Sequence, residues 1–324
     1  MRSLRFLLLL LLWGSTVFAQ VVSNVPFSTA IARARALEAG ALATDVPHHI
    51  HYELKLYSHK GKLTKGTWDI WSDPLRFTRS DIVAGDFHYT HIEDLVHTIE
   101  WRHFNGVMPL KVYDLLEDYK EPGFAVSFFS SPGGGRNVRF EQIENSPFSC
   151  TSEMLQMRVC FDPLAHVLAF AEMFNQTVTW EDWQPVGTHT APRRFRIYDA
   201  GRVMVEAAGT AEVVKSFPAG LFTIPANEPD MGEPEDNGTA PHKVVGMKPV
   251  HLDSLYGNLL IRLEVDAEGK VHKADLIDAD DDDLVRAGTE FAKHLTFAPQ
   301  MANGVAMPFE QYIYFRYALG EQAE

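Results

Sequence analysis

From His49 the chain alternates between apolar and polar positions. In the stretch HYELKLYS, Tyr52, Leu54 and Leu56 share one face, the pattern of a half-buried strand. HKGK turns the chain, and LTKGTWDIWS returns as its partner. There Trp68, Ile70 and Ser72 lie on one face, and Thr67, Asp69 and Trp71 on the other. DPLRFTRSDIVAGDFHYTHIED continues as strand and turn. LVHTIEWRHF reads as a strand or a short helix. LKVYDLLEDYK is more helical, with Leu110, Tyr113 and Leu116 close to a three-residue repeat. Beyond it, segments such as GFAVSFFSS, MRVCFDP, HVLAFAEMF, QTVTWEDWQ, RRFRIYDAG and RVMVEAAGT are short and divided by turn signals. YDAGRV is a hairpin signal, with Asp199, Ala200 and Gly201 at the bend. These patterns predict a β-rich domain of curved antiparallel sheet over residues 20–225. One helix stands at its start, in PFSTAIARARALEAGALA, capped by Ser28 or Thr29.

A second plan begins after residues 226–243, ANEPDMGEPEDNGTAPHK. That segment is dense in Pro, Gly, Asn and acids and reads as an extended, solvated linker. In the following 244–324, NLLIRLEVD puts Leu259, Ile261, Leu263 and Val265 on one face and Leu260, Arg262, Glu264 and Asp266 on a mostly wet one. AEG turns the chain and KVHKADLID pairs back. Leu284, Gly288, Phe291 and Leu295 then form the stripe of an amphipathic helix. FEQYIYFRY closes the chain as an aromatic strand. The fold class expected is α+β: a β-rich domain with an N-terminal helix, and a small second domain.

The leader sets the compartment. Arg2 and Arg5 precede an apolar run, Leu7 to Trp13, and Val17-Phe18-Ala19 supplies small residues for a signal peptidase. Residues 1–19 therefore read as a secretory signal cleaved between Ala19 and Gln20, since the run is shorter than the roughly 20 residues a spanning helix needs. The expected location is the periplasm. Removing Arg2 and Arg5 from the 29 basic residues leaves 27 against 43 acidic ones, a balance of −16. Such a surface repels nucleic acid. Cys150 and Cys160 meet an oxidising compartment and are expected to pair as a structural disulfide.

Candidate chemistry is sparse. The acidic run 278–283 lacks the glycine and closing Glu of a calcium loop and stands where carboxylates cap a helix. In HHIH, His49 and His51 share one strand face, but two converging imidazoles fall short of the three or four ligands a site needs. SPGGGRN, residues 131–137, lacks the Lys-Ser/Thr of a phosphate loop. No catalytic residue, cofactor or metal is assigned. Trp68 and Trp71 are candidates to line an apolar cavity inside the curved sheet.

Two family resemblances rest on particular residues. Residues 244–317 resemble the TonB C-terminal domain family, through LLIRLEVDAEGKVHKADLI and DDDLVRAGTEFAKHLTFAPQMANGVAMPFEQYIYFRY. The matching elements are Val265-Asp266 with Gly269-Lys270-Val271, the helix before Phe297-Ala298-Pro299, the Asn303-Gly304-Val305 turn and the last strand. The resemblance implies a helix on an antiparallel sheet. It also implies partner binding by strand addition at an exposed edge, here Phe309, Gln311, Ile313, Phe315 and Tyr317. Energy-coupling members have a membrane helix and a long proline-rich spacer. A cleaved leader and an 18-residue acidic linker do not suit force transmission. The module itself is acidic, with 7 basic and 14 acidic residues over 244–324. Residues 27–225 resemble LolA/LolB-like periplasmic carriers through HYELKLYSHKGKLTKGTWDIWSDPLRFTRSDI and the hairpins after it. That resemblance implies an incomplete barrel that holds acyl chains. Together they suggest an exported, non-enzymatic envelope protein that binds an envelope partner, an outer-membrane transporter or its peptide, through the C-terminal module. Two alternatives stay open: a soluble carrier of lipid or lipoprotein, and a metal-dependent hydrolase using the His-rich domain.

Overall fold

The computed structural model describes residues 46–117, 140–142, 148–151, 157–162, 167–173, 176–187, 189–232, 244–246 and 257–317. The leader, the expected first helix and the loop 131–137 lie outside the described residues.

Twelve strands build one antiparallel sheet. Five come first: β1 (His48–Tyr57), β2 (Leu63–Asp73), β3 (Phe77–Ala84), β4 (Phe87–Asp94) and β5 (Ile99–Asn105). Helix α1 (Leu110–Glu117) follows. Then come β6 (Phe140–Gln142), β7 (Ser149–Thr151), β8 (Met157–Asp162), β9 (Val167–Met173), β10 (Gln176–Val186), β11 (His189–Asp199) and β12 (Arg202–Val213). The spatial order is β5-β4-β3-β2-β1-β12-β11-β10-β9-β8-β7-β6. Two meanders therefore meet in the middle, where β1 pairs with β12. The segment that could read as strand or helix is strand β5. The YDAGRV hairpin turns through Ala200 and Gly201, both at positive φ.

β5 and β6 sit at opposite edges of the sheet. Helix α1 follows β5, starts behind Pro109 and lies on the inner face. Met108, Val112 and Leu115 join Ile50, Tyr52, Leu54, Leu56, Ile82 and Ile197 in one buried cluster. The sheet curls tightly around it. Trp68 on β2 and Phe195 on β11 are three strands apart, roughly 14 Å in a flat sheet, yet their ring centroids are 6.3 Å apart. Two interior glycines fit this curl. A Cβ on Gly66 would lie 2.1 Å from the Val83 carbonyl oxygen, and one on Gly209 1.8 Å from that of His51.

After β12 the chain does not leave the sheet. Residues 214–232 cross its outer face. Phe217 meets Trp71 edge-on and Phe222 stacks on Phe77 at 5.2 Å. Arg79 Nη1 donates to the Leu221 carbonyl (2.6 Å) and Trp101 Nε1 to that of Glu228 (3.2 Å). At the β5 edge the Met231 amide donates to the Arg102 carbonyl and the Arg102 amide to Asp230 Oδ1. The first part of the expected linker is thus bound to the sheet, because its polar groups satisfy an otherwise open edge strand. Residues 233–243 lie outside the described residues.

The C-terminal unit comprises β13 (Val244–Gly246), β14 (Gly257–Val265), β15 (Val271–Ala279), helix α2 (Asp282–Ala292), β16 (Thr296–Phe297), β17 (Gln300–Ala302), β18 (Val305–Met307) and β19 (Phe309–Tyr317). Its main sheet has the order β15-β14-β19. Asp266 builds the β14–β15 turn, its Oδ1 accepting from the amides of Glu268 and Lys270. Gly269 then approaches the Phe297 carbonyl so closely that a Cβ would lie 2.0 Å from it. Asp281 caps α2, which buries Leu284, Gly288, Phe291 and Ala292. These pack on Leu259, Ile261, Leu263 and Val265. The other face of β14 is wet only from Arg262 onward. Leu260 and Asn258 are buried, because that end docks on the large sheet.

Candidate functional site

The inner face of the twelve-stranded sheet is aromatic as well as apolar. Tyr52 lies edge-on to Phe195 at 5.2 Å, and Trp68 and Trp180 join the same cluster. Two of the polar ends on this face are satisfied locally. The Tyr52 hydroxyl donates to the Pro192 carbonyl at 2.6 Å, and burial holds its pKa above the ordinary value. Trp68 Nε1 donates to Ser80 Oγ at 2.7 Å. Within the described residues, the helical cover of this face is the eight-residue α1. Among the described residues, this face presents no convergent set of reactive groups.

At the end of this face, α1 meets the C-terminal unit in a buried ionic junction. Lys111, Asp114, Asn258 and Asp280 are each less than 5% exposed. Lys111 Nζ donates to Asp114 Oδ2 at 3.0 Å and also to Asp280 Oδ1. Asn258 gives its amide N–H to Asp280 Oδ2 (2.6 Å) and its Nδ2 to Asp114 Oδ1 (2.7 Å). Burial disfavours the Lys111 ammonium, but the two carboxylates outweigh it and hold its pKa above the ordinary value. Around this centre, the His59 amide donates to Asp278 Oδ1, and Tyr314 donates its hydroxyl to the Met108 carbonyl at 2.6 Å. Burial raises the pKa of Asp278. The acidic run thus divides its work: Asp281 caps α2, while Asp278 and Asp280 fasten the unit to the sheet domain. Lys111 and Asp114 could have been singled out by their i, i+3 spacing in LKVYDLLE, but their partners Asp280 and Asn258 lie 169 and 144 positions further along the chain.

The outer face carries the third cluster. His49 and His51 on β1 converge on Asp69 of β2. His49 Nε2 lies 2.7 Å and His51 Nδ1 2.8 Å from the same oxygen, Asp69 Oδ1. The hydrogen bond to Asp69 is the largest cause of a raised His51 pKa. The third ligand-type residue was hidden in the sequence because it belongs to the neighbouring strand.

Of the other candidate residues, Trp68 is on the inner face but Trp71 is not. Three residues apart on one strand, they point to opposite sides. Trp71 stacks on His49 at 3.6 Å, so the pair does not line one cavity. Cys150 and Cys160 form a disulfide between the adjacent strands β7 and β8. In β19, Phe309, Ile313 and Phe315 pack against the C-terminal core, and Gln311 is buried. The strand, Tyr317 included, pairs with β14 along one edge; among the described residues no strand pairs with its other edge. Among the described residues, no helix is long and apolar enough to cross a membrane.

No family model matches the chain, and no curated protein matches it. The resemblance of residues 244–317 to TonB C-terminal domains therefore rests on the quoted residues alone. The fold is similar to solved structures that include a LolA superfamily protein from Nitrosomonas europaea and a DUF1329 family protein from Desulfovibrio piger. The first is 7% identical, with 61% of this chain and 97% of that chain covered and a TM-score of 0.34. The second is 8% identical, with 61% and 97% covered and a TM-score of 0.37.

Proposed function

We propose that this chain is an exported, non-enzymatic carrier of the cell envelope that takes an acyl chain on the inner face of its curved sheet. The observation that carries this reading is the single apolar and aromatic cluster running from Phe104 on β5 to Val159 on β8, with one short helix on it among the described elements. A leader-like N-terminus and the Cys150–Cys160 disulfide agree with export to an oxidising compartment. The resemblance of residues 27–225 to LolA/LolB-like carriers points the same way. The buried junction at Lys111 supports a role for the C-terminal unit as a docking arm fixed beside the ligand-bearing face.

Two measurements test the reading. Protein isolated from its native envelope should release lipid on organic extraction. Acyl chains brominated along their length should quench tryptophan fluorescence saturably, because Trp68 and Trp180 border the inner face. A lipid-free extract together with no saturable quenching would refute it.

A second reading concerns the β19 edge. An extended segment of an envelope protein, such as an outer-membrane transporter, could add to it as a further strand. The observation in its favour is that β19 has a strand on one side alone among the described residues. Such a peptide should slow amide exchange across residues 309–317; unchanged exchange in the complex would exclude this mode.

A further inference from the structure

We propose that the outer face of β1 and β2 carries a divalent transition-metal site of the zinc type, with His49 Nε2, His51 Nδ1 and Asp69 Oδ1 as ligands. The three atoms lie within 4.8 Å of one another. Tetrahedral legs of about 2.0–2.1 Å put ligand atoms roughly 3.3 Å apart. Both imidazole nitrogens stand about half an ångström closer than that to Asp69, at 2.7 and 2.8 Å. To admit an ion, the Asp69 oxygen must draw back from both nitrogens and the rings must close on the same point.

The surroundings are those of a metal site as well. A ligating imidazole usually turns its second nitrogen to a carboxylate, which fixes the ring and raises its basicity. Here His49 Nδ1 lies 3.6 Å from Glu212 Oε1, and His51 Nε2 lies 3.4 Å from Glu53 Oε1. The His49 ring is also clamped. It stacks on Trp71 at an angle of 6°, and Trp71 is backed edge-on by Phe217 of the crossing segment. Charge favours a cation in the same place. Asp69 stands directly opposite Asp81 on β3. Arg79 takes Asp81 through two hydrogen bonds, at 2.7 and 2.9 Å, and so neutralises that neighbour. Glu53, Asp69 and Glu212 then surround the two imidazoles with more negative charge than two histidines can match. The donor set of two nitrogens and one oxygen suits zinc, whose filled d shell imposes no geometry of its own. Three protein ligands leave a fourth position for water or a ligand from elsewhere. The site lies on the face opposite the proposed acyl surface, so neither proposal depends on the other.

The test is zinc titration of the full secreted chain, prepared without an affinity tag and stripped with chelator. One equivalent should bind saturably. His49→Ala, His51→Ala and Asp69→Ala should each abolish that binding, whereas His97→Ala, which removes an imidazole elsewhere on the domain, should leave it intact. Replacing the outer carboxylates together, Glu53→Gln with Glu212→Gln, should weaken binding about 10- to 100-fold. Zinc should raise the thermal midpoint of the wild-type chain and leave that of Asp69→Asn unmoved. No saturable binding by the wild-type chain would overturn the proposal and leave a hydrogen-bonded cluster. Undiminished binding in the Asp69 and His49 variants would overturn it too. If those variants fail to fold, the Glu53→Gln/Glu212→Gln chain decides: an unchanged affinity there counts against the site.

Discussion

The inner face of β1 carries Ile50, Tyr52, Leu54 and Leu56, all almost inaccessible. Its outer face carries His49, His51, Glu53 and Lys55, each engaged with a polar side chain of its own or a neighbouring strand. The two faces are held by different physics. Burial is non-directional and follows area, so the inner face tolerates any side chain of similar size and shape. The outer face depends on directional pairings 2.7–3.4 Å long, and these exist only while β2, β1 and β12 keep their register. Each face also has its own cover. The inner one has α1, pinned by Lys111 to the C-terminal unit. The outer one has residues 214–232, pinned by Phe217, Phe222 and Arg79. The chemistry of the outer face is therefore a report on register, and the inner face a report on volume.

The largest expected effect separates the two covers. Lys111→Met leaves Asp114 and Asp280 buried together with no cation between them. Breaking a buried pair in this way costs about 3–5 kcal/mol, read as a fall in the urea midpoint. The His49 and His51 resonances should hold, since the outer face is not touched. A midpoint within experimental error of the wild type would mean that the junction does not fasten α1. Next in size is Gly209→Ala, which strikes both faces at once. Its Cβ would meet the His51 carbonyl oxygen and push β12 away from β1. Overpacking of this kind costs about 1–3 kcal/mol. Resonances of both Tyr52 and His51 should move; a shift confined to one face would contradict the shared backbone origin of the two.

Much of the inner face could be read from alternation alone. Tyr52, Leu54, Leu56, Trp68 and Ile70 are buried where a period of two puts them, because one strand's own spacing decides which side each residue takes. The small unit was legible for the same reason: Leu259 to Val265 alternate, and Leu284, Gly288 and Phe291 keep helical spacing. What the sequence hid depends on partners far along the chain. Residues 226–232 have the Pro, Gly and acid content of a linker, yet Asp230 and Met231 bond to Arg102 at the β5 edge. Asp69 belongs with His49 and His51 only through the β1–β2 register, which pairs His51 with Asp69. Asp280 sits in a run whose composition announces helix capping, and its real contact is Lys111, 169 positions away.

The smallest expected effect probes the outer face by pH. Lys55 and Glu206 face each other across β1 and β12, with Nζ to Oε2 at 3.1 Å, both partly exposed. The hydrogen bond from Lys55 is the first cause that holds the Glu206 carboxyl below its ordinary value of 4.5; partial burial opposes it. In the unfolded chain that bond is lost and the carboxyl returns to its ordinary value. The folded state therefore releases the Glu206 proton more readily, and its contribution to stability is present above pH 4.5. It is lost as the pH falls through the lower folded value. Glu206→Gln removes this linkage. Urea midpoints from about pH 7 to about pH 3 should decline less steeply for the variant than for the wild type, from a slightly lower start. Screening by water and salt keeps the difference small, since Lys55 is about half exposed. Parallel slopes would mean that this pair forms without contributing to folding, and that the outer face is held by the His49–Trp71 stack and its crossing segment instead.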